Sequence, residues 1–129
     1  MLECFKCGLF WRGIKHDLSK YRPREFFAYA RYFDGDRRTN DPAFDRAWLF
    51  HQCSNDHHWQ WWCVPHDEGD GFEVHEMSAS ARKEMLCDWV GAGRAYNGAT
   101  DSLEWYTANR DRLQLHISTR CAVEKAIGF

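Results

Sequence analysis

The chain has 129 residues, of which 44% are hydrophobic and 16% aromatic, and its formal net charge at pH 7 is −2. This length and composition predict one folded domain and argue against disorder. Because the charge provides no general attraction to a phosphate backbone or an anionic membrane, polymeric nucleic acid and membranes are not expected partners. No apolar run approaches the roughly 20 residues that cross a bilayer, and no signal-peptide cleavage region is present, so we expect a cytoplasmic protein.

The N-terminal part of the chain is predicted to form two helices separated by a polar turn. Apolar side chains recur at helical spacing over residues 2–12, and Gly13 is expected to end this first helix. The polar stretch HDLSKY follows at residues 16–21. A second helix is predicted over 23–33, because Pro23 suits the first position of a helix and the sequence FFAYARYF extends it.

The middle of the chain is predicted to contain one long helix followed by one long loop. Asp41 and Pro42 form a typical helix start, an N-cap acceptor followed by proline, so a third helix is predicted from 42 to about 60. Residues 64–76 are rich in glycine and acidic residues and show no sustained period, which indicates a functional loop or lid. Their acidic residues do not match the spacing of a calcium-binding loop.

The C-terminal part is predicted to be helical. Residues 79–95 have an amphipathic pattern, and residues 101–110 and 118–127 are expected to form two further helices, the first with Asp101 as its cap. The sequence LQLH at 113–116 fits either a short strand or a loop. These elements together predict an all-α, single-domain bundle of five to six helices.

The cysteines are predicted to be reduced, structural thiols. No secretory signal accompanies them, and disulfides are uncommon in the cytoplasm. Cys4 and Cys7 form one CxxC pair, but a zinc knuckle would need a second well-spaced pair that the chain does not offer.

Two histidines share one face of the predicted third helix. His51 and His58 are about 700° apart around a helix axis, roughly 20° short of two full turns, and Asn55 lies between them on the same stripe. His57 is rotated away, which indicates either a supporting contact or a ligand reached from the helix end. Seven residues also mean about 10 Å of axial rise, so His51 and His58 can bind one ion only if the helix ends or bends between them.

Two acidic residues also share one side of a predicted helix. Glu84 and Asp88 are four residues apart, a spacing at which like charges repel each other. Either solvent, with Arg82 and Lys83 nearby, or a bound metal ion must compensate this repulsion. Spacing alone leaves both interpretations open.

The stretch HDLSK has two interpretations. His16 and Asp17 can both reach one ion only where the chain turns, since neighbouring side chains on a regular helix point about 100° apart. Lys20 would then place an ammonium group beside a phosphate held by the metal. In the alternative, Asp17 caps the next turn, and His16 and Lys20 are exposed surface groups.

Taken in order, HDLSK, His51, HHW at 57–59 and Asp88 resemble the ligand set of the HD-domain metal phosphohydrolases. HDLSK is similar to the HDxGK signature of their cyclic-dinucleotide phosphodiesterase branch. More closely, the blocks HDLSKYxPxEFFAYARYF, AWxxHQxxNxHHWQxW and EMLCDWVGAGRAY resemble an uncharacterised family of small bacterial and phage proteins. This resemblance spans about residues 9–125 and suggests the cytoplasm of a bacterium or of a phage-infected host.

The resemblance implies an HD-like helical domain that holds one or two divalent ions and hydrolyses a phosphate ester or anhydride. The metal ligands would be His16, Asp17, His51, His58 and Asp88. The candidate catalytic residues are Asp17, Lys20, His57 and Glu84. Lys20 would contact phosphate. HD domains usually carry a further histidine on the first helix, yet residues 1–15 contain none, so either the chain begins downstream of that element, or a partner, water or another residue fills the position.

Three functions are compatible with these features. The first is a metal-dependent phosphohydrolase that acts on a nucleotide or another small phosphate ester with Mn, Fe, Co, Ni, Zn or Mg. The second is a catalytically impaired metal- or nucleotide-binding protein that sequesters its ligand. The third is a buried hydrogen-bond network that only positions the helices. Exposed aromatic surface would be compatible with a homo-oligomer.

Overall fold

The computed structural model describes residues 1–34, 41–97 and 102–129. Within these ranges the fold is mostly helical, with seven α-helices and one small hairpin, which confirms the predicted all-α class. The helices are α1 (Leu2–Lys6), α2 (Phe10–Lys15), α3 (Pro23–Asp34), α4 (Pro42–Ser54), α5 (Ala79–Asn97), α6 (Ser102–Asn109) and α7 (Ile117–Ile127). The strands are β1 (Cys63–Pro65) and β2 (Phe72–Val74), and 3₁₀ turns cover Leu18–Tyr21, Trp59–Trp62 and Arg110–Arg112.

The predicted first helix is in fact two helices. The chain breaks between α1 and α2, where Gly8 has a φ of 75° that favours glycine. Gly13, expected to end the helix, instead lies buried within α2. A Cβ atom at Gly13 would lie 2.7 Å from Cε1 of Phe5, so glycine is required for the close approach of α1 and α2.

The predicted helix from 42 to about 60 is too long. Helix α4 ends at Ser54, because Asn55 has an extended backbone with φ −129° and ψ 113°. A short turn then leads into the 3₁₀ turn that begins at Trp59. Periodicity did not reveal this break, since the apolar and aromatic residues continue beyond it.

The predicted loop at 64–76 includes a small antiparallel hairpin. Cys63 pairs with Val74 and Pro65 pairs with Phe72, and the residues between the strands form the exposed tip. Residues 113–116 form no strand. The predicted helices over 23–33, 79–95 and 118–127 agree with α3, α5 and α7, whereas the proposed cap Asp101 lies outside the described residues.

The main core joins the three C-terminal helices to the chain that follows the hairpin. Its buried members are Met77, Ala81, Met85, Tyr106, Leu113 and Val123. Trp59, Trp62 and Trp89 pack against it from the side. This core holds α5 in place and so sets the position of the acidic residues that α5 carries.

A second apolar contact joins α3 to α4. The rings of Tyr32 and Phe44 are stacked with their centroids 3.8 Å apart, and Tyr29 meets Phe44 edge to face at 5.5 Å. These contacts fix α4 beside the HDLSKY segment.

All six cysteines are free thiols, as expected. In the described part of the chain, no helix has both the length and the apolar character that crossing a membrane requires.

The N-cap of α4 provides a test of the fold. The carboxylate of Asp41 accepts hydrogen bonds from the backbone N–H groups of Ala43 at 2.9 Å and Phe44 at 3.4 Å. We expect Asp41→Ala to lower the free energy of unfolding by roughly 0.5–2 kcal/mol, measured by urea denaturation. Asp45→Ala is the matched control, an exposed acidic residue in the same first turn. Equal losses in the two variants would contradict the capping role.

Candidate metal centre

An abrupt turn at the end of α2 directs two neighbouring side chains inward. His16 has φ −51° and ψ 125°, and Asp17 adopts the left-handed conformation with φ 61°. Asp17 is the sole non-glycine with positive φ among the residues that the structure describes, a conformation that is strained for most side chains. The side chain of His16 is only 7% exposed and Asp17 makes no capping hydrogen bond. The alternative of a capping Asp17 beside an exposed His16 is therefore wrong.

The end of α4 brings three histidines together. His51 is on the last turns of the helix, and His57 and His58 follow the break. The ring centroids of His51 and His58 are 4.8 Å apart, and those of His57 and His58 are 4.3 Å apart. One ring nitrogen from each of the three lies within 4.8 Å of the others. His57, predicted to point away from its neighbours, thus joins the cluster because the helix ends before it.

The carboxylate of Asp17 lies between these histidines and His16. Its Oδ1 atom is 3.1 Å from Nε2 of His51 and 3.9 Å from Nε2 of His57, while its Oδ2 atom is 3.4 Å from Nε2 of His16. His16, Asp17 and His57 form a second set of ligand atoms within 4.8 Å of one another. From α5, Oδ1 of Asp88 lies 3.2 Å from Nε2 of His16. The five predicted ligands therefore lie close together, and His57 belongs to both sets of candidate ligand atoms.

Several atoms at this centre lack the partners that buried polar groups normally have. Oδ1 of Asp17 and Nε2 of His51, His57 and His58 are inaccessible to solvent and accept or donate no hydrogen bond. Asp17 and His51 approach each other closely without the geometry of a hydrogen bond. A purely structural network would be expected to satisfy these atoms. These three imidazole nitrogens and one carboxylate oxygen are the kinds of ligand atom that a divalent transition-metal ion binds.

Buried carboxylates orient the imidazole rings from behind. Nδ1 of His51 is 3.0 Å from Oε2 of Glu25, which is fully buried on α3. Nδ1 of His16 is 2.9 Å from Oε1 of Glu84, and Nδ1 of His57 is 3.4 Å from the same oxygen. Metal-binding histidines typically donate their second ring N–H to a carboxylate in this way. The arrangement turns the Nε2 atoms of His16 and His51 toward the centre.

Glu84 is buried, with an exposed fraction of 3%, so the solvated-face interpretation is wrong for this residue. The guanidinium of Arg12 on α2 donates hydrogen bonds to Glu84 and Asp56. The first two helices, which carry no histidine, thus contribute a cation that neutralises Glu84. The side chain of Asp88 is 31% exposed. Glu84 therefore contacts the imidazoles and Arg12, and this position suits a residue that orients ligands.

Sequence reasoning missed Arg12, Ser19 and Glu25. Ser19 places its hydroxyl 2.8 Å from Nδ1 of His51 and 3.1 Å from Glu25. An acidic residue just after Pro23 is ordinary at a helix start, so nothing in the pattern marked Glu25 as buried. Glu25 lies in the first turn of α3, after the 3₁₀ turn that follows the HD pair, and its burial depends on the contact with His51.

The local environment sets the protonation of the ligand atoms. Burial, reinforced by the neighbouring His57 and His51, lowers the pKa of His58 to about 3, and burial likewise lowers the pKa of His57. Burial opposes the protonation of His16, yet its hydrogen bonds to Asp88 and Glu84 raise its pKa to about 9. His57 and His58 are consequently neutral and have a free lone pair, as metal ligation requires.

The pKa of Asp17 is lowered although its carboxylate is largely removed from water. Burial alone would raise this pKa, but the contact with His51 and the charges of Lys20 and His16 outweigh it. The nearest cation is Lys20, whose Nζ is 2.6 Å from Oδ2 of Asp17. Asp17 is therefore ionised and available as a ligand at neutral pH.

A cavity of about 620 Å³, here called the first cavity, opens beside the cluster. His51, His58, Asp88 and Lys20 are among the residues that line it. Its other walls are mainly aromatic, from Tyr29, Phe33, Phe44 and Trp48. This volume is typical of small-molecule sites. A ligand of that size has access to both the histidine cluster and the ammonium group of Lys20.

Substitution of Asp17 tests whether the cluster binds metal. We expect Asp17→Ala to abolish metal binding, because it removes the carboxylate between the imidazoles, while helical content stays largely intact. Metal content by mass spectrometry and helicity by circular dichroism are the measurements. Asp17→Asn separates the loss of the ligand from backbone effects, since asparagine tolerates a left-handed conformation. Asp111→Ala, at an exposed acid in another 3₁₀ turn, is the control. Global unfolding of both Asp17 variants would instead favour a structural network.

The carboxylate behind His51 provides a second test. Glu25→Gln keeps the shape of the side chain but weakens its hold on the His51 ring, so metal affinity should fall by roughly 10- to 100-fold. Competition with a chelating dye measures this affinity. Glu104→Gln changes an exposed acid in the first turn of α6 and should leave the affinity unchanged. An unaltered affinity in Glu25→Gln would show that this carboxylate does not position the ring.

Comparison with known proteins gives a family but no activity. The chain has no significant match among curated proteins or among solved structures. The model of DUF5662, described as a family of unknown function, matches residues 1–128. Because this match covers nearly the whole chain, the protein belongs to the DUF5662 family.

Proposed function

We propose that the protein is a metal-dependent phosphohydrolase that acts on a nucleotide or another small phosphate ester. The observation that carries this proposal is the set of four buried, unsatisfied ligand atoms on Asp17, His51, His57 and His58. The resemblance of the HDLSK, HHW and Asp88 blocks to HD-domain phosphohydrolases supports the same conclusion. The adjoining first cavity and Lys20 supply room and charge for a phosphorylated ligand.

The ligand set has room for one or two ions. Nε2 of His51, His57 and His58 together with Oδ1 of Asp17 would hold the first ion. His16, whose Nε2 is 3.4 Å from Oδ2 of Asp17 and 3.2 Å from Oδ1 of Asp88, would hold a second ion together with Asp88 only after losing the proton that its raised pKa retains. A bound divalent ion would polarise the phosphoryl group and favour ionisation of a water molecule. The mixed imidazole and carboxylate set suits Mn, Fe, Co, Ni or Zn better than Mg.

Residues of the chain would bind the phosphate, position the imidazoles and exclude water. Lys20 would hold a phosphate oxygen in the first cavity, since it lines this cavity and its ammonium group contacts the carboxylate of Asp17. Glu25 and Glu84 would keep the imidazoles in place during turnover. The aromatic walls of the first cavity would exclude water from around the ligand, which strengthens the interaction of Lys20 with phosphate.

The alternative is a protein that binds metal or nucleotide without turning it over. The absence of histidine from residues 1–15 favours this alternative, because HD domains usually use a histidine there. Arg12 reaches Glu84 from the first helices and supplies no metal ligand. The two functions differ in product release, since a sequestering protein would bind a nucleotide tightly and release nothing.

The decisive measurement is metal analysis of protein purified without chelators, followed by a phosphate-release screen over nucleotides with added Mn²⁺ or Co²⁺. Lys20→Met should lower kcat/KM on the order of 10²-fold, the effect typical of losing one charge-stabilising donor, without loss of metal. Lys125→Met alters an exposed lysine of α7 and should behave as the unaltered protein. Bound metal with tight nucleotide binding and no product would favour sequestration, whereas absence of both metal and ligand would exclude both functions.

A further inference from the structure

Helix α1 packs along α5 through a polar contact near each of its ends. Arg94 of α5 donates a hydrogen bond to the carboxylate of Glu3, and Nζ of Lys83 donates one to the backbone carbonyl of Cys7 at 3.3 Å. Lys83 and Arg94 lie about 20° apart around the axis of α5, after three full turns. They therefore belong to one stripe of α5, and this stripe faces α1.

Three thiols meet between α1 and α5. Cys87 lies one turn after Lys83 on the stripe that faces α1. Opposite it, Cys4 on α1 and Cys7 at the C-cap of this helix are three residues apart, a spacing that places both on one face. The thiol of Cys87 makes hydrogen-bonding contacts with the thiols of Cys7 and Cys4. These three residues are here called the thiol cluster.

The members of the thiol cluster differ in their access to solvent. Cys4 and Cys87 are buried, with exposed fractions of 0% and 6%, whereas Cys7 is exposed. Helix α2 covers Cys4, since a Cβ atom at Gly13 would lie 3.0 Å from the Cβ atom of Cys4. An oxidant in solution therefore reaches Cys7 first, and Cys87 is a buried thiol in contact with it.

The arrangement favours a bond between two sulfur atoms over a metal ion shared by three. Among the residues that the structure describes, the candidate ligand atoms that all lie within 4.8 Å of one another form the two sets around His57, and the thiol cluster is not a third. A disulfide requires only one pair of thiols in contact.

We propose that Cys7 and Cys87 form a reversible disulfide, with a hydroperoxide as the oxidant and a dithiol as the reductant. With hydrogen peroxide, the Cys7 thiolate bonds to one oxygen, the O–O bond breaks, and the departing hydroxide takes the proton that the thiol lost. The product is a sulfenic acid. The sulfur of Cys87 then bonds to that of Cys7, and the hydroxyl group leaves as water with the proton of the Cys87 thiol. Both sulfur atoms are oxidised, and the peroxide is reduced to two water molecules.

Peptide mapping of the intact protein tests this pairing, because trypsin separates the three thiols into residues 1–6, 7–12 and 84–94. The reduced protein is treated with hydrogen peroxide at low protein concentration, the remaining thiols are alkylated, and the digest is analysed by mass spectrometry. We expect a linked pair of peptides 7–12 and 84–94 that dithiothreitol separates. Absence of this pair, or a predominant link from 1–6 to either of the other two peptides, would overturn the proposal.

Removal of the buried partner tests the order of the two steps. In Cys87→Ala the sulfenic acid at Cys7 has lost the thiol that consumes it, so dimedone should label residues 7–12 at least tenfold more than in the unaltered protein. Cys121→Ala, which changes an exposed cysteine of α7, is the control and should label as the unaltered protein does. Equal labelling in Cys87→Ala and the unaltered protein would contradict the assignment. If Cys87→Ala does not fold, the peptide map of the intact protein decides.

The stability of the oxidised protein provides an independent readout. A bond between Cys7 and Cys87 closes a long loop, so the oxidised protein should unfold at a higher urea concentration than the reduced protein. Dithiothreitol should remove this difference, and Cys7→Ser should lack it. Cys53→Ser is the matched control, an exposed cysteine of α4 whose substitution should preserve the difference. A lower midpoint in the oxidised protein would contradict a pair of thiols that the fold already holds in contact.

Discussion

The left-handed backbone of Asp17 directs its carboxylate and the neighbouring imidazole of His16 into the same interior space. That conformation costs about 1–3 kcal/mol for a residue other than glycine. Each buried polar atom without a partner costs a further 1–3 kcal/mol or so, and the cluster contains four of them. A divalent ion would satisfy all four at once. A bound divalent ion would therefore account both for the strained backbone of Asp17 and for the unsatisfied imidazoles.

The surrounding elements serve this arrangement. The end of α4 at Ser54 lets His57 and His58 turn toward His51, while Glu25 on α3 and Glu84 on α5 hold the rings from behind. Aromatic contacts between α3 and α4 and the apolar core beneath α5 keep these carboxylates at fixed distances. Tyr29 and Phe44, which join α3 to α4, also line the first cavity, so the same side chains serve helix packing and the cavity wall.

Several features followed from local sequence patterns. The helices α3, α5 and α7 were predicted nearly to their ends, because proline at the first helical position and an amphipathic period act within one segment. The candidate ligands were identified from residue type and order along the chain. The break at Asn55 was not predicted, since aromatic residues resume at Trp59 and the histidine spacing fits a continuous helix. Glu25 was missed because its burial depends on where α3 meets His51, which no local pattern records.

The sequence by itself determined the helical class and the chemical groups available, four imidazoles and several carboxylates in three separated blocks. Only the tertiary structure decided that His57 belongs with His51 and His58, that Glu25 and Arg12 support the cluster, and that a cavity opens beside it. The physical reason is the range of the interactions. Helix propensity and capping depend on neighbours a few residues away, whereas ligand convergence depends on contacts such as that between His16 and Asp88, which are 72 residues apart.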